Sequence, residues 1–204
     1  MSRFGINTEN AHGISLYVLR PKAKEIGQNH ELAMELWKTG VHEARLLACF
    51  IGDPEKLTGK QMESMAKDFD SWDICDQCCS SLFDPNPLAW KKAVEWGERE
   101  EEFVKRAGFV LMAALSVHDK GAADSKFREF FPIIKRESGD ERNFVKKAVN
   151  WALRQIGKRN KALNKDAVRA AKEIRKKGSK AARWIASDAL RELESEKVKA
   201  RLSR

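Results

Sequence analysis

The chain has 204 residues, of which 42% are hydrophobic and 34% charged, with 39 Lys and Arg against 30 Asp and Glu for a net charge of +9. That is enough to bury a core without covalent staples, and no apolar run approaches the roughly 18 residues a membrane span needs. The start, MSRFGINTEN, lacks the apolar centre of a signal peptide. A cytoplasmic, nucleoid-associated protein is therefore expected, with Cys49, Cys75, Cys78 and Cys79 reduced.

Helix formers dominate and only 5 prolines and 12 glycines interrupt them, so the fold class expected is all-α. Turn signals at Gly40, Asp53-Pro54, Pro85-Asn86-Pro87, Gly121, Gly139-Asp140, Asn160 and Gly178-Ser179 separate amphipathic segments. In chain order these predict helices near 16–27, 29–39, 41–51, 58–69, 72–82, 87–97, 99–117, 124–137, 141–157, 161–177 and 180–195. Short links between helices imply antiparallel neighbours. A succession of such pairs is the pattern of a right-handed α-solenoid of HEAT-like type with a concave groove, a single domain over 1–204. No strict repeat motif is visible, and a compact helical bundle is the alternative.

Charge is unevenly spread. Residues 142–204 hold 20 Lys and Arg against 6 Asp and Glu, while residues 1–141 are net acidic. A basic final third on a folded chain suits a polyanion, most often nucleic acid. A solvated lysine-rich helix surface has the same composition.

Three segments carry candidate chemistry. The first is DSWDICDQCC, residues 70–79. Asp70 or Ser71 suits a helix N-cap, and Asp73 then falls in the first turn, where the helix dipole favours a carboxylate. Asp76 lies four residues after Trp72, so the two share a face. Ile74, Cys75, Cys78 and Leu82 form the apolar stripe instead. Two readings fit Trp72 and Asp76: an indole packed on the next helix beside a solvated carboxylate, or an aromatic and carboxylate placed for function. The cysteines lack the paired spacing of structural zinc and the histidines are scattered, so no metal is expected.

The second is residues 142–160, RNFVKKAVNWALRQIGKRN. Val145, Ala148, Val149, Ala152 and Ile156 make its core stripe. Lys147, Trp151, Arg154 and Lys158 share another face, a tryptophan within a ladder of cations. Phosphates suit the cations, and the indole suits a sugar or base. Alternatively, Trp151 fills a helix interface while its neighbours extend to water. The third is Arg106, at the core boundary just before the uncharged stretch Ala107 to His118. An arginine there needs a partner, either a carboxylate such as Asp76 or a phosphate. Trp184, in ARWIASDALREL, is expected in the core.

Together, LWKTGVHEARLLA (36–48), SWDICD (71–76), FVKRAGFVLMA (103–113) and FVKKAVNWALRQIGKRN (144–160) resemble the AlkD-type DNA alkylation repair family of HEAT-like helical proteins. The resemblance weakens after residue 160. It implies a monofunctional DNA glycosylase that hydrolyses the N-glycosidic bond of cationic N3- and N7-alkylated purines in duplex DNA, without deep base flipping and without a cofactor. Carried over by motif, Trp72, Asp76 and Trp151 are the catalytic residues, and Arg106, Lys147, Arg154, Lys158 and Arg159 contact DNA. Trp72, Asp76, Arg106 and Trp151 are then expected to converge on one concave surface of a monomer. The family also includes members that bind unusual DNA structures without cleaving them, which is the alternative function. Active relatives carry about one further helix pair before the segment matching RFGI. Here the sequence starts at Met1-Ser2-Arg3-Phe4, and DNA contacts made by that pair are expected to be missing.

Overall fold

The computed structural model describes every residue except Ser2, Phe4 and Arg204, so half of the Met1-Ser2-Arg3-Phe4 start lies outside the described residues. Among the described residues all regular structure is helical. The elements are α1 (Leu16–Ile26), α2 (His30–Lys38), α3 (His42–Ile51), α4 (Gly59–Lys67), α5 (Trp72–Cys78), a π-helical turn (Cys79–Phe83) and α6 (Ala89–Gly97). They continue with α7 (Glu102–His118), α8 (Asp124–Arg128), α9 (Phe130–Glu137), α10 (Asn143–Gly157), α11 (Lys161–Arg175), α12 (Lys180–Leu193) and α13 (Glu196–Leu202). No helix among the described residues is long and apolar enough to cross a membrane. The chain divides into two compact units, residues 1–89 and 90–204.

Most predicted segments appear as drawn, and three differ for local reasons. The segment near 124–137 is two helices, broken at Glu129. Pro132 has no N–H to close on the Arg128 carbonyl, so the ladder fails there, and the proline is accommodated in the first turn of α9. The segment near 72–82 is α-helical to Cys78 and π-helical beyond it. Helix α13 was not predicted: it buries only Val198, and Ser195 caps it by accepting from the Val198 N–H.

Within each unit, polar contacts recur at a fixed sequence offset. In the first unit, His12–Glu43, His30–Gln61, Trp37–Asp68 and His42–Asp73 are all hydrogen bonded across 31 residues. In the second, Arg106–Phe144, Arg128–Asp166, Lys135–Glu173, Asn150–Asp188 and Arg154–Glu192 all span 38. Such offsets arise when one helix pair is stacked on the next in the same orientation. The ends confirm it: Arg106 near the start of α7 meets Phe144 near the start of α10, and Arg159 just beyond α10 reaches the Ser116 carbonyl near the end of α7. Helices α7, α10 and α12 form one parallel layer, with α9 and α11 running back between them. The repeat is one of position, with no shared residue pattern, which is why the sequence shows no motif.

Core formation follows the apolar stripes. Val145, Ala148, Val149, Ala152 and Ile156 of α10 are fully buried, as are Ile74, Cys75, Cys78 and Cys79 at α5. All four cysteines are buried thiols outside any disulfide. Gly108 on α7 is required by a close approach: a Cβ there would lie 2.2 Å from the Gly97 backbone nitrogen at the end of α6. Trp184 departs from expectation. It is 40% exposed, because Ala181, Ala182, Ile185, Ala186 and Ala189 make the buried stripe of α12 and leave position 184 beside it. The Lys146 ammonium lies 5.2 Å from its ring centre, a cation–π contact.

Candidate functional site

In the first unit, α5 is anchored at its start by residues far away in sequence. The Ser71 hydroxyl accepts from the Asn7 backbone N–H at 2.7 Å, and Asp70 accepts from the Asn7 side-chain amide at 3.0 Å. Asp73 sits in the first turn, as its position predicts, and lies 3.0 Å from Nε2 of buried His42. Burial alone would lower the His42 pKa. The hydrogen bond and charge of Asp73, with Glu43 and Asp70 nearby, outweigh it and hold the imidazole above its ordinary value. Glu43 accepts the backbone N–H groups of His12, Gly13 and Ile14 at 2.7–3.1 Å. Burial opposes its ionisation, but these donors keep it below the usual carboxylate range. His42 and Glu43 were not singled out from the sequence. The available signal was a His-Glu pair opening a helix whose remaining residues are apolar apart from Arg45.

Trp72 and Asp76 lie one helical turn apart on α5, and both are half-buried, while Ile74 and Cys75 between them and Cys78 beyond are fully covered. The pair therefore sits off the core stripe, as the spacing predicts. Directly after it the helix widens into the π turn, where the Ser80 hydroxyl donates to the Asp76 carbonyl at 2.6 Å. Such turns re-aim side chains and are common at functional sites. Arg20 of α1, also unforeseen, donates to Gln77 beside Asp76 at 2.9 Å and packs over Phe50. Cys78 and Cys79 are no nucleophiles: burial, reinforced by their cysteine neighbours, pushes both thiols well above the ordinary value.

In the second unit, α7 presents two buried cations, Lys105 and Arg106. Lys105 Nζ is 2.8 Å from Glu137, 3.7 Å from Glu100 and 3.8 Å from Asp140. Arg106 donates to the Phe144 carbonyl at 2.6 Å, above a Phe103–Phe144 contact with ring centres 5.5 Å apart. Both side chains thus tie α7 to its neighbours. The sequence marks Arg106 as the residue needing a partner, yet Lys105 is the one ringed by carboxylates.

On α10, Trp151 is half-buried and Lys147 exposed. Arg154 pairs with Glu192 at 2.5 Å and Asp188 at 3.5 Å, and Lys158 with Glu192 at 2.7 Å. Burial penalises the Glu192 carboxylate, but Lys158 and Arg154 lower its pKa. Arg159 donates to the carbonyls of Ser116, Lys120 and Ala122 and lies 4.3 Å over the Phe127 ring. The ladder of cations is present, but its lower rungs are held by α12 carboxylates. Trp72 and Asp76 belong to the first unit, and Arg106, Trp151, Arg154, Lys158 and Arg159 to the second.

Comparison with known proteins places this arrangement. Among curated proteins none matches at a significant level. The fold is similar to that of a solved structure from a group described as a new family of proteins related to the HEAT-like repeat DNA glycosylases, with affinity for branched DNA structures. The TM-score is 0.77 at 23% identity, covering 95% of this chain and 84% of that one. The architecture is therefore all-α and HEAT-like. A family model described as DNA alkylation repair enzyme matches residues 1–193, and the chain belongs to that family.

Proposed function

We propose that the protein is a monofunctional DNA glycosylase that removes cationic N3- and N7-alkylated purines from duplex DNA. The observation that carries this reading is the Trp72–Asp76 pair, half-buried and off the core stripe of α5 in a chain of the alkylation repair family. An alkylated purine already bears positive charge and leaves readily. As the C1′–N bond lengthens, its electron pair neutralises the base and positive charge develops on the deoxyribose. The Asp76 carboxylate stabilises that charge and takes a proton from the water whose oxygen bonds to C1′. The Trp72 indole face attracts the cationic sugar, and Trp151 is assigned the same kind of contact. Lys147, Arg154, Lys158 and Arg159 serve the phosphates, while buried Arg106, expected from the sequence to join them, holds α10 against α7. Arg154 and Lys158 do so by exchanging Glu192 and Asp188 for phosphate oxygens. The reaction draws on no cofactor.

A second reading is favoured by one observation: the solved relative is described by its affinity for branched DNA. In that case the basic helices bind a DNA structure and no base is released. Incubation with methylated duplex DNA and quantitation of free 3-methyladenine and 7-methylguanine separates the two. Base release supports the glycosylase, and salt-sensitive binding to four-way junctions without release supports the binding protein.

A further inference from the structure

A cavity of about 300 Å³ lies within the second unit where the α7–α8 loop, the α10–α11 junction and α13 meet. Its wall carries four cations, Lys120, Lys158, Arg159 and Arg201, and one carboxylate, Asp124. Asp124 is already engaged, accepting from the Asn160 amide at 2.8 Å. Lys158 is neutralised by Glu192 at 2.7 Å.

The other three cations are not balanced. Arg159 is fixed by three carbonyls and an aromatic face, none of which carries a full negative charge. Those bonds use three of its five N–H groups and leave two uncommitted. Among the described residues, no carboxylate lies within 4.0 Å of Arg159, Lys120 or Arg201. Lys120, from the α7–α8 loop, and Arg201, from α13, are exposed and line the cavity. The C-terminus of α10 and the N-terminus of α11 both face this junction, so their dipoles oppose one another and the side chains decide the local field. Gathering three like charges around one cavity costs free energy unless an anion occupies it. A guanidinium held by three carbonyls with spare donors, flanked by two exposed cations, suits the tetrahedral oxygens of phosphate.

We propose that this cavity binds a phosphate group, supplied either by a nucleic-acid backbone or by a free phosphoryl compound, with Lys120, Arg159 and Arg201 as its ligands. In its nucleic-acid form the proposal rests on the reading of the chain as a DNA-binding protein and extends the interface to the α7–α8 loop and α13. The phosphate affinity of the cavity does not depend on that reading.

The test uses the full chain and the double variant Lys120→Ser, Arg201→Ser. Both residues are exposed, so the variant keeps its core. Two quantities are measured for each protein. One is the rise in thermal midpoint with inorganic phosphate over chloride at equal ionic strength. The other is the slope of log affinity against log salt for duplex DNA. Phosphate also strengthens folding by exclusion from the surface, equally for both proteins, so the difference between them is the readout. The wild type should gain a few degrees more than the variant, about what tenfold to hundredfold saturation of one site gives. A backbone phosphate in the cavity should make the variant's salt slope shallower by about one to two. Loss of the phosphate response with an unchanged DNA slope would identify a free phosphoryl compound as the source. Equal phosphate responses together with equal DNA slopes would overturn the proposal. A wild type that binds no DNA removes the DNA-binding reading, and the phosphate measurement then decides the cavity alone.

Discussion

Asp73 lies 3.0 Å from His42 Nε2, whereas Asp76, three residues later, sits half-buried beside Trp72 at the entrance to a π turn. Asp73 fastens α5 to α3, and Asp76 is the carboxylate proposed for chemistry. Asp73→Asn should lower stability by about 1–3 kcal/mol while leaving base release by the folded fraction unchanged. Because the folded protein holds the His42 proton more tightly than the unfolded chain, this stabilisation is complete below the unfolded value near ~6.5. It fades as pH rises through the higher folded value. Urea midpoints of wild type and variant should differ more at about pH 5.5 than at about pH 8.5, on either side of that window.

Glu192 holds both Arg154 and Lys158. If those cations serve DNA phosphates, Glu192→Gln releases them. Affinity for duplex DNA should rise severalfold at low salt, with a salt slope steeper by about one. Weaker binding in a fluorescence anisotropy titration of the folded variant would show that Glu192 orients these cations for DNA and does not compete for them.

Lys105 is buried among Glu137, Asp140 and Glu100. Replacing it with methionine keeps the apolar stem but leaves Glu137 to Arg136 and Asp140 to Arg142 alone, at a cost of about 1–3 kcal/mol. Burial works against ionisation of Glu137 and Asp140, but Lys105 with Arg136 lowers the pKa of Glu137, and Arg142 with Lys105 that of Asp140. Their contribution is full above the unfolded carboxylate values near ~4 and is lost as pH falls through the lower folded ones. The stability gap between wild type and variant should therefore narrow on acidification through that range, as denaturant titrations at several pH values would record.

Gly108→Ala tests the packing of α6 on α7. The new methyl would lie 2.2 Å from the Gly97 nitrogen and 2.7 Å from its Cα. Backbone cannot yield as a side-chain tip can, so the loss should be at least about 3 kcal/mol in urea unfolding. Gly139→Ala, whose Cβ meets nothing within 4 Å, should change stability far less.

Much of this architecture is written in residue spacing. The buried positions of α10 are those its 3.6-residue period marks, and the off-stripe placement of Trp72 and Asp76 follows from their separation alone. Other features depend on partners far away in sequence. Nothing local distinguishes Lys105 from Arg106, since either can reach a carboxylate and the folded position of Glu137 makes the choice. The 31- and 38-residue offsets are invisible because pairs as different as His–Gln and Trp–Asp share the offset in the first unit, and Asn–Asp and Lys–Glu share it in the second. The break at Glu129 was legible in Pro132, which removes a ladder donor wherever it falls. Trp184 misled because a large aromatic suggests a core, whereas the alanines around it already make a narrow, complete interface. The π turn leaves no sequence signal that we can identify.

The most direct test of the central assignment is single-turnover release of 7-methylguanine and 3-methyladenine from methylated duplex DNA, with wild type, Asp76→Asn and Asp73→Asn compared at saturating protein. Wild type and Asp73→Asn should release both bases, and Asp76→Asn should lose about two orders of magnitude or more with DNA binding retained. Equal rates for wild type and Asp76→Asn would contradict the assignment.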